Sequence, residues 1–195
     1  GAIYRMIWQD FQTSIYDINI SPVIFYANAG NAEVNGADFD LQTLLTDEWT
    51  LNLSLNYTDS VLSEDFASLV DPTQVWAPEG RQLPYVPQWK LVASTRYETA
   101  LTQTVNGYLQ ASYSYTDESW NLLIGTANGV EPELQDGYGL LDLRAGAEWG
   151  DYRLEIFGTN ITDERAQVFI NSGYYDERIT TNRPRTIGLR LSARY

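Results

Sequence analysis

Apolar and polar side chains alternate with a period of two over most of the chain. Trp49, Leu51, Leu53, Leu55 and Tyr57 fall on one side, and Thr50, Asn52, Ser54, Asn56 and Thr58 on the other. The same pattern runs through 89–97, 105–115, 141–149 and 187–195. Alternation of this length marks a strand with one apolar and one wet face. No segment carries the apolar stripe of an amphipathic helix. The reading is therefore all-β, with eight strands near 2–13, 23–45, 49–60, 86–99, 103–116, 138–149, 152–160 and 184–195. The second is either one long strand or two with a bend near Gly30.

The connections carry more information than the strand count. Tight turns fall near 46–48, 100–102 and 150–151, and long polar stretches near 60–85, 116–137 and 161–182, with a shorter polar one at 13–22. Short and long connections alternate, so an up-and-down sheet gathers all tight turns at one end and all long loops at the other. Outer-membrane barrels are built this way. The aromatics agree with that reading. Trp49, Tyr97, Trp149, Tyr152 and Tyr195 lie at the short-turn ends, and Tyr57, Trp89, Tyr113 and Tyr115 toward the long loops. Eight residues of tilted strand climb roughly 19–20 Å, which places two aromatic girdles about an apolar band of about 25 Å. A β-sandwich also alternates, but its apolar face needs no aromatic collar at both ends.

Composition removes whole classes of chemistry. The 195 residues hold 26 acidic and 12 basic side chains, a net charge of −14, which is the wrong sign for a nucleic-acid partner. With no Cys and no His, thiol chemistry, disulfides, zinc fingers and His-based triads are excluded, whereas carboxylate catalysis is not. No run approaches the roughly 18–20 apolar residues of a membrane helix, a test to which a membrane strand of about 9–11 residues is blind. The chain opens directly in a strand-like stretch, Gly1-Ala2-Ile3-Tyr4, without a basic leader. The expectation is a cleaved signal or a piece of a longer protein.

Five stretches, in order, resemble a family. Residues 3–12 (IYRMIWQDFQ) are similar to a tyrosine-rich strand ending in an Asp-hydrophobic-Gln step. Residues 28–41 (NAGNAEVNGADFDL) resemble an Asn-x-Gly-x-Ala…Gly-x-Glu-hydrophobic-x-Leu stretch in which Asp38 replaces the Glu. Leu83-Pro84-Tyr85-Val86-Pro87, Asn160-Ile161-Thr162-Asp163-Glu164-Arg165 and Pro184-Arg185-Thr186-Ile187-Gly188-Leu189 complete the series. Together they resemble the C-terminal part of a TonB-dependent outer-membrane receptor. The resemblance implies an antiparallel, up-and-down transmembrane β-barrel segment, with about eight strands of a 22-stranded wall and the plug and TonB box absent. Residues 1–195 are then the last third of that wall. A closed eight-stranded barrel remains the alternative on strand count.

The implied function is uptake of a scarce nutrient across the outer membrane of a Gram-negative bacterium, such as a ferric siderophore, cobalamin or an oligosaccharide, driven through TonB. Haem is also open; the absence of His argues against direct His ligation of its iron, although Tyr can serve. The implied partners are the lipid bilayer with its lipopolysaccharide, the barrel-assembly machinery, the TonB complex through a plug, and a small-molecule ligand. No enzyme activity, cofactor or metal is implied. Trp76, Tyr85, Trp120, Tyr174 and Tyr175 are candidate ligand contacts, because loop aromatics offer rigid amphipathic area. Ile187, Leu189, Leu191, Ala193 and Tyr195 are both an apolar strand face and, by resemblance, the signal read during assembly.

Other candidates have plainer readings. Asp38 and Asp40 are a spaced carboxylate pair, but any strand places i and i+2 about 6.5–7 Å apart, so they read as wall. The loop acids at 64–65, 117–118, 131–136 and 176–177 lack the spacing of a calcium loop and read as solvated tips. Arg183 and Arg185 are placed to meet neighbouring acids or an anionic ligand. Against the receptor stand two alternatives: a complete small barrel with a structural or adhesive role, and a secreted β-sandwich lectin or glycosidase.

Overall fold

A computed structural model describes all residues except 18, 126–129, 172–177 and 195. The described chain runs through β1 (Ala2–Trp8), a hairpin of β2 (Gln12–Ile15) and β3 (Phe25–Asn28), then β4 (Ala32–Thr46) and β5 (Trp49–Leu62). A second hairpin, β6 (Phe66–Ala67) and β7 (Val75–Ala77), precedes β8 (Trp89–Ala100) and β9 (Asn106–Thr116). A third, β10 (Ser119–Trp120) and β11 (Leu134–Gln135), leads to β12 (Tyr138–Trp149) and β13 (Tyr152–Thr159). The fourth, β14 (Gln167–Asn171) and β15 (Arg178–Thr181), leads to β16 (Thr186–Ala193).

The eight long strands form one antiparallel sheet in the order β1-β4-β5-β8-β9-β12-β13-β16. Up-and-down order and the placing of tight turns and long connections follow the alternation in the sequence. Strands β1 and β16 are the two edges of an open sheet, so the described residues form neither a closed eight-stranded barrel nor a sandwich of two packed sheets.

Two expectations about elements are corrected. The strand expected over 2–13 ends at Trp8, whereas over 23–45 the chain takes the second of the two forms expected there, β3 and β4 separated near Gly30 (φ 86°). The ladder between β1 and β4 stops at Trp8↔Ala32, and the chain beyond it re-pairs as β2 with β3. Asp10, with φ of 53°, turns the chain there, and Asn31 Oδ1 accepts from its backbone N–H at 3.2 Å. Asp and Asn tolerate this left-handed region better than most residues, which is why the break falls on them and on a glycine. The second correction concerns the polar stretches, each of which carries its own two-stranded hairpin. Their strands are two to five residues long, too short for alternation to announce them.

Register places the alternating residues on two continuous faces. The apolar face joins Leu55 to Leu91 to Tyr115, Ala111 to Leu143, and Leu154 to Leu191. The polar face joins Asn52 to Ser94 to Ser112 to Asp142. Girdle aromatics meet across strands: Trp49 opposes Tyr97, Trp149 stacks on Tyr152 at 6.1 Å, and Tyr57 meets Trp89 at 4.7 Å. The apolar face is not packed against protein. On β16, Ile187, Leu189 and Leu191 are 67–70% exposed, on a face whose apolar residues extend across the sheet. Soluble monomers rarely leave an apolar patch of more than a few hundred Å² bare, roughly 300–600 Å² at most.

The buried core lies at the long-connection end. Ile15, Ala29, Ala32, Leu62, Phe66, Ala77, Leu83 and Leu123 form one cluster beneath the hairpins. This cluster packs the first three connections into one unit rather than three free loops, and the fourth joins it through Tyr85.

Candidate functional site

Tyr85 is the junction of that unit. It follows Pro84 and holds φ at 59°, a conformation costly for a bulky side chain and sustained by its surroundings. Its N–H donates to the Trp120 carbonyl at 2.8 Å, and its hydroxyl donates to the Ile170 carbonyl at 2.7 Å. Its ring stacks on Phe169 with centroids 5.1 Å apart. One residue thus ties the 63–88 connection to those at 117–137 and 160–185. Burial pushes the Tyr85 phenol above its ordinary value, so it remains a protonated donor throughout the physiological range.

Beside this junction lies a cavity of about 420 Å³ lined from all the connections that meet there, including Thr13, Tyr16, Tyr85, Asn121, Phe169 and Asn171. A volume of this size suits a small ligand. Tyr85 and Phe169 are each about 40% exposed, so the stacked pair is open to a guest.

The predicted contacts separate. Tyr85 lines the cavity. Trp76 instead packs edge-on against Phe66 at 5.5 Å and against the buried cluster, a core role. Trp120 lies beneath the Arg81 guanidinium at 4.5 Å and lends its carbonyl to Tyr85. Tyr174 and Tyr175 lie outside the described residues, as do Tyr195 and the acids 176–177. Ile187, Leu189, Leu191 and Ala193 occupy the apolar face of the edge strand β16. Reading the sequence missed Phe169. Its signal was there in Gln167-Val168-Phe169-Ile170, a short apolar-rich run inside a polar stretch.

The remaining charged candidates are satisfied locally. Asn56 Nδ2 donates to Asp38 and Ser54 Oγ to Asp40, both at 2.6 Å, so these acids belong to the polar ladder. Among the described residues no three carboxylates gather where a metal ion could sit. Asp71 accepts from the Thr73 N–H and hydroxyl, a local turn.

Arg185 is held by its backbone N–H, which donates to Asp163 Oδ1 at 2.9 Å, while its side chain reaches the Ile161 carbonyl. That N–H holds the Asp163 carboxyl below its usual range, with the Arg165 and Arg185 guanidiniums assisting. A carboxyl with a lowered folded pKa contributes stability above its unfolded value of about 3.9 and loses it as pH falls through the lower folded value. Pepsin cleavage within 160–185 is therefore expected to rise below about pH 3.9, and Asp163→Asn should show that susceptibility without acid.

The family of TonB dependent receptor-like β-barrels matches residues 1–163. No match is found among curated proteins. Among solved structures, the chain is similar to the siderophore receptor PiuA of Acinetobacter baumannii, with 21% identity and a TM-score of 0.71 over 99% of this chain and 25% of that one. It is also similar to the ferric yersiniabactin uptake receptor FyuA of Yersinia pestis, with 16% identity and a TM-score of 0.73 over 98% of this chain and 26% of that one. At these identities the likeness is one of fold, and the chain spans about a quarter of each solved receptor.

Proposed function

Because the chain belongs to the TonB-dependent receptor β-barrel family, we propose that residues 1–195 are a C-terminal part of the wall of an outer-membrane uptake receptor. The observation that carries this is the open sheet. Eight antiparallel strands expose an unpaired edge at each side, one face is bare and apolar, and the hairpin-bearing connections gather at one end. A 22-stranded wall supplies the neighbours that such edges require. The apolar face meets lipid and lipopolysaccharide, and the polar face lines the lumen against a plug. The cavity beside Tyr85 holds part of a scarce nutrient, of which a ferric siderophore is the leading class. Energy comes from TonB through that plug. The apolar face of β16 serves as the assembly signal, and no catalysis is involved.

The test is the mass and location of the native protein, together with uptake. In detergent extracts of the outer membrane, intact-mass spectrometry should find a product several hundred residues longer than this chain. Uptake of radiolabelled ferric chelate by iron-limited cells should fall to background when TonB is removed. A membrane product of only this length would overturn the reading in favour of a small barrel, and recovery in a soluble fraction would overturn both.

A further inference from the structure

The charge around the cavity limits what can enter it. The four long connections, 9–31, 63–88, 117–137 and 160–185, carry 15 acidic and 5 basic residues, a net of −10 out of the chain's −14. Four of those five basic residues lie in the last connection, and Arg81 is the only cation of the other three. Arg81 is already stacked on Trp120. No Asp, Glu, Lys or Arg lines the cavity of about 420 Å³; its surface is hydroxyl, amide, aromatic and aliphatic. A polyanionic guest would cross a field of its own sign and find no cation inside.

A second cavity of about 200 Å³ lies on another side of Tyr85, bounded by Lys90, Asp117, Gln135 and Asp136. Gln135 is 4% exposed. Its Nε2 donates to the Gln167 carbonyl at 3.1 Å, and its Oε1 is buried without a partner. A buried acceptor left unmatched is destabilising, and a hydroxyl or N–H of a guest would satisfy it. The first cavity therefore calls for an uncharged guest with a face to stack on Tyr85 and Phe169, and the second, where Lys90 stands with two acids for a net of −1, adds at Gln135 a call for a hydrogen-bond donor.

We propose that this loop end selects an uncharged, hydroxyl- or amide-bearing ligand, either an electroneutral ferric chelate or a neutral sugar, and turns away polyanionic ferric chelates. The inference rests on the receptor reading and narrows it to a substrate class. It also sets this chain's selectivity by charge, which fold likeness to other receptors leaves undetermined.

The experiment uses the native protein extracted from its outer membrane, with three probes: an electroneutral ferric tris-hydroxamate, a neutral linear oligosaccharide and a ferric tris-catecholate trianion. Binding is read by tryptophan fluorescence at low and high salt. One neutral probe is expected to bind with an affinity that changes less than about twofold with salt, since no charge is there to be screened. Which one binds identifies the source. The trianion is expected to bind at least about 100-fold more weakly, with the gap narrowing as salt rises. Gln135→Leu and Phe169→Ala should each weaken the neutral probe about tenfold. Tyr85→Phe, which keeps the stacking ring and removes only the hydroxyl bond to Ile170, should hold the neutral probe more tightly than Phe169→Ala, and an equal loss in both would overturn the stacking role. Trianion binding as tight as that of the neutral probes overturns the inference and leaves the receptor reading standing. Binding of none of the three overturns the receptor reading, and the inference with it.

Discussion

Replacing Asn160 with alanine is expected to release the 160–185 connection from the wall. Asn160 is 5% exposed and holds φ at 50°, just past the end of β13. Its Nδ2 donates to the carbonyls of Glu164 and Arg183, both at 2.9 Å, and its Oδ1 accepts from the Glu164 N–H at 2.9 Å. Its own backbone N–H donates to Asp142 Oδ1. The side chain thus joins the first and last turns of the connection: it satisfies the Glu164 N–H and shares the Glu164 and Arg183 carbonyls with Asn182 Nδ2. Alanine removes all three bonds, leaves the Glu164 N–H stranded and keeps a left-handed backbone without Asn's tolerance for it. At about 1–3 kcal/mol for the stranded N–H, about 0.5–1.5 kcal/mol for each of the two lost carbonyl bonds and about 1 kcal/mol of backbone strain, the local cost is at least about 3 kcal/mol.

The loss is local because the eight-stranded ladder does not depend on this contact. A change of about 3 kcal/mol raises the open population of the connection on the order of 100-fold, and cleavage from that open state rises in step. Trypsin should therefore cut after Arg165 and Arg185 on the order of 100 times faster in Asn160→Ala. Asn160→Gly removes the side chain but relieves the strain. If the hydrogen bonds dominate, it recovers no more than about 1 kcal/mol. Full recovery in the glycine variant would show that strain, not bonding, was the main loss. Because Phe169 rides on this connection and stacks on Tyr85, the alanine variant should also lose ligand affinity, although Asn160 does not line the cavity.

The wall was legible in the sequence because alternation is a global signal. Strands β5, β8, β9, β12 and β16 repeat their two-faced pattern about four or more times, and a single register slip would turn Leu51-Leu53-Leu55 away from its face, so pattern and pairing determine each other. The girdle aromatics were legible for the same reason. Trp49, Tyr57, Trp89 and Tyr97 lie eight residues apart on paired strands, and the ladder brings them together. The loop end follows a different rule. Its strands are too short to alternate, and its contacts are long-range. The Tyr85 hydroxyl reaches Ile170 across 85 residues of sequence. The spacing of aromatics could suggest that Trp76, Tyr85 and Trp120 share the loops. It could not tell that Trp76 turns into the core, that Trp120 serves through its carbonyl, or that Phe169 completes the stack. Asn160 was visible as a motif residue, while its three side-chain bonds required the fold.

Gly146→Ala is expected to destabilise the wall, against the usual direction for this substitution. Where the backbone accepts a Cβ, Gly→Ala stabilises by about 0.4–1 kcal/mol, because it restricts the unfolded chain. Gly146 is not in the left-handed region, so no backbone strain opposes alanine. The obstacle is a neighbour. One row of the register runs Glu98↔Tyr108↔Gly146↔Glu155↔Arg190 across five strands. The Tyr108 ring lies flat over Gly146 and spans β12 to donate its hydroxyl to Glu155 on β13. A Cβ at 146 would stand 2.4 Å from the Tyr108 Cε1. Tyr108 and Glu155 are each 6% exposed on this otherwise wet face. The Arg96 guanidinium caps the ring at 3.8 Å, and Arg190 reaches Glu155 at 3.2 Å. With alanine the ring must lift, the Glu155 carboxylate loses its tyrosine donor, and Arg96 loses its platform. A hydrogen bond to a charged group contributes about 1.5–3 kcal/mol and a cation–π contact about 0.5–1 kcal/mol, so the net loss is about 2–3 kcal/mol after the chain-entropy gain. Thermal unfolding of the native protein, followed by its mobility shift on electrophoresis, reads this as a lowered midpoint. The decisive comparison is a double-mutant cycle. Tyr108→Ser removes the ring, and in that background Gly146→Ala should be neutral or stabilising. A destabilisation that persists without the ring would place the cost in the backbone of β12 and sink the account given by the row.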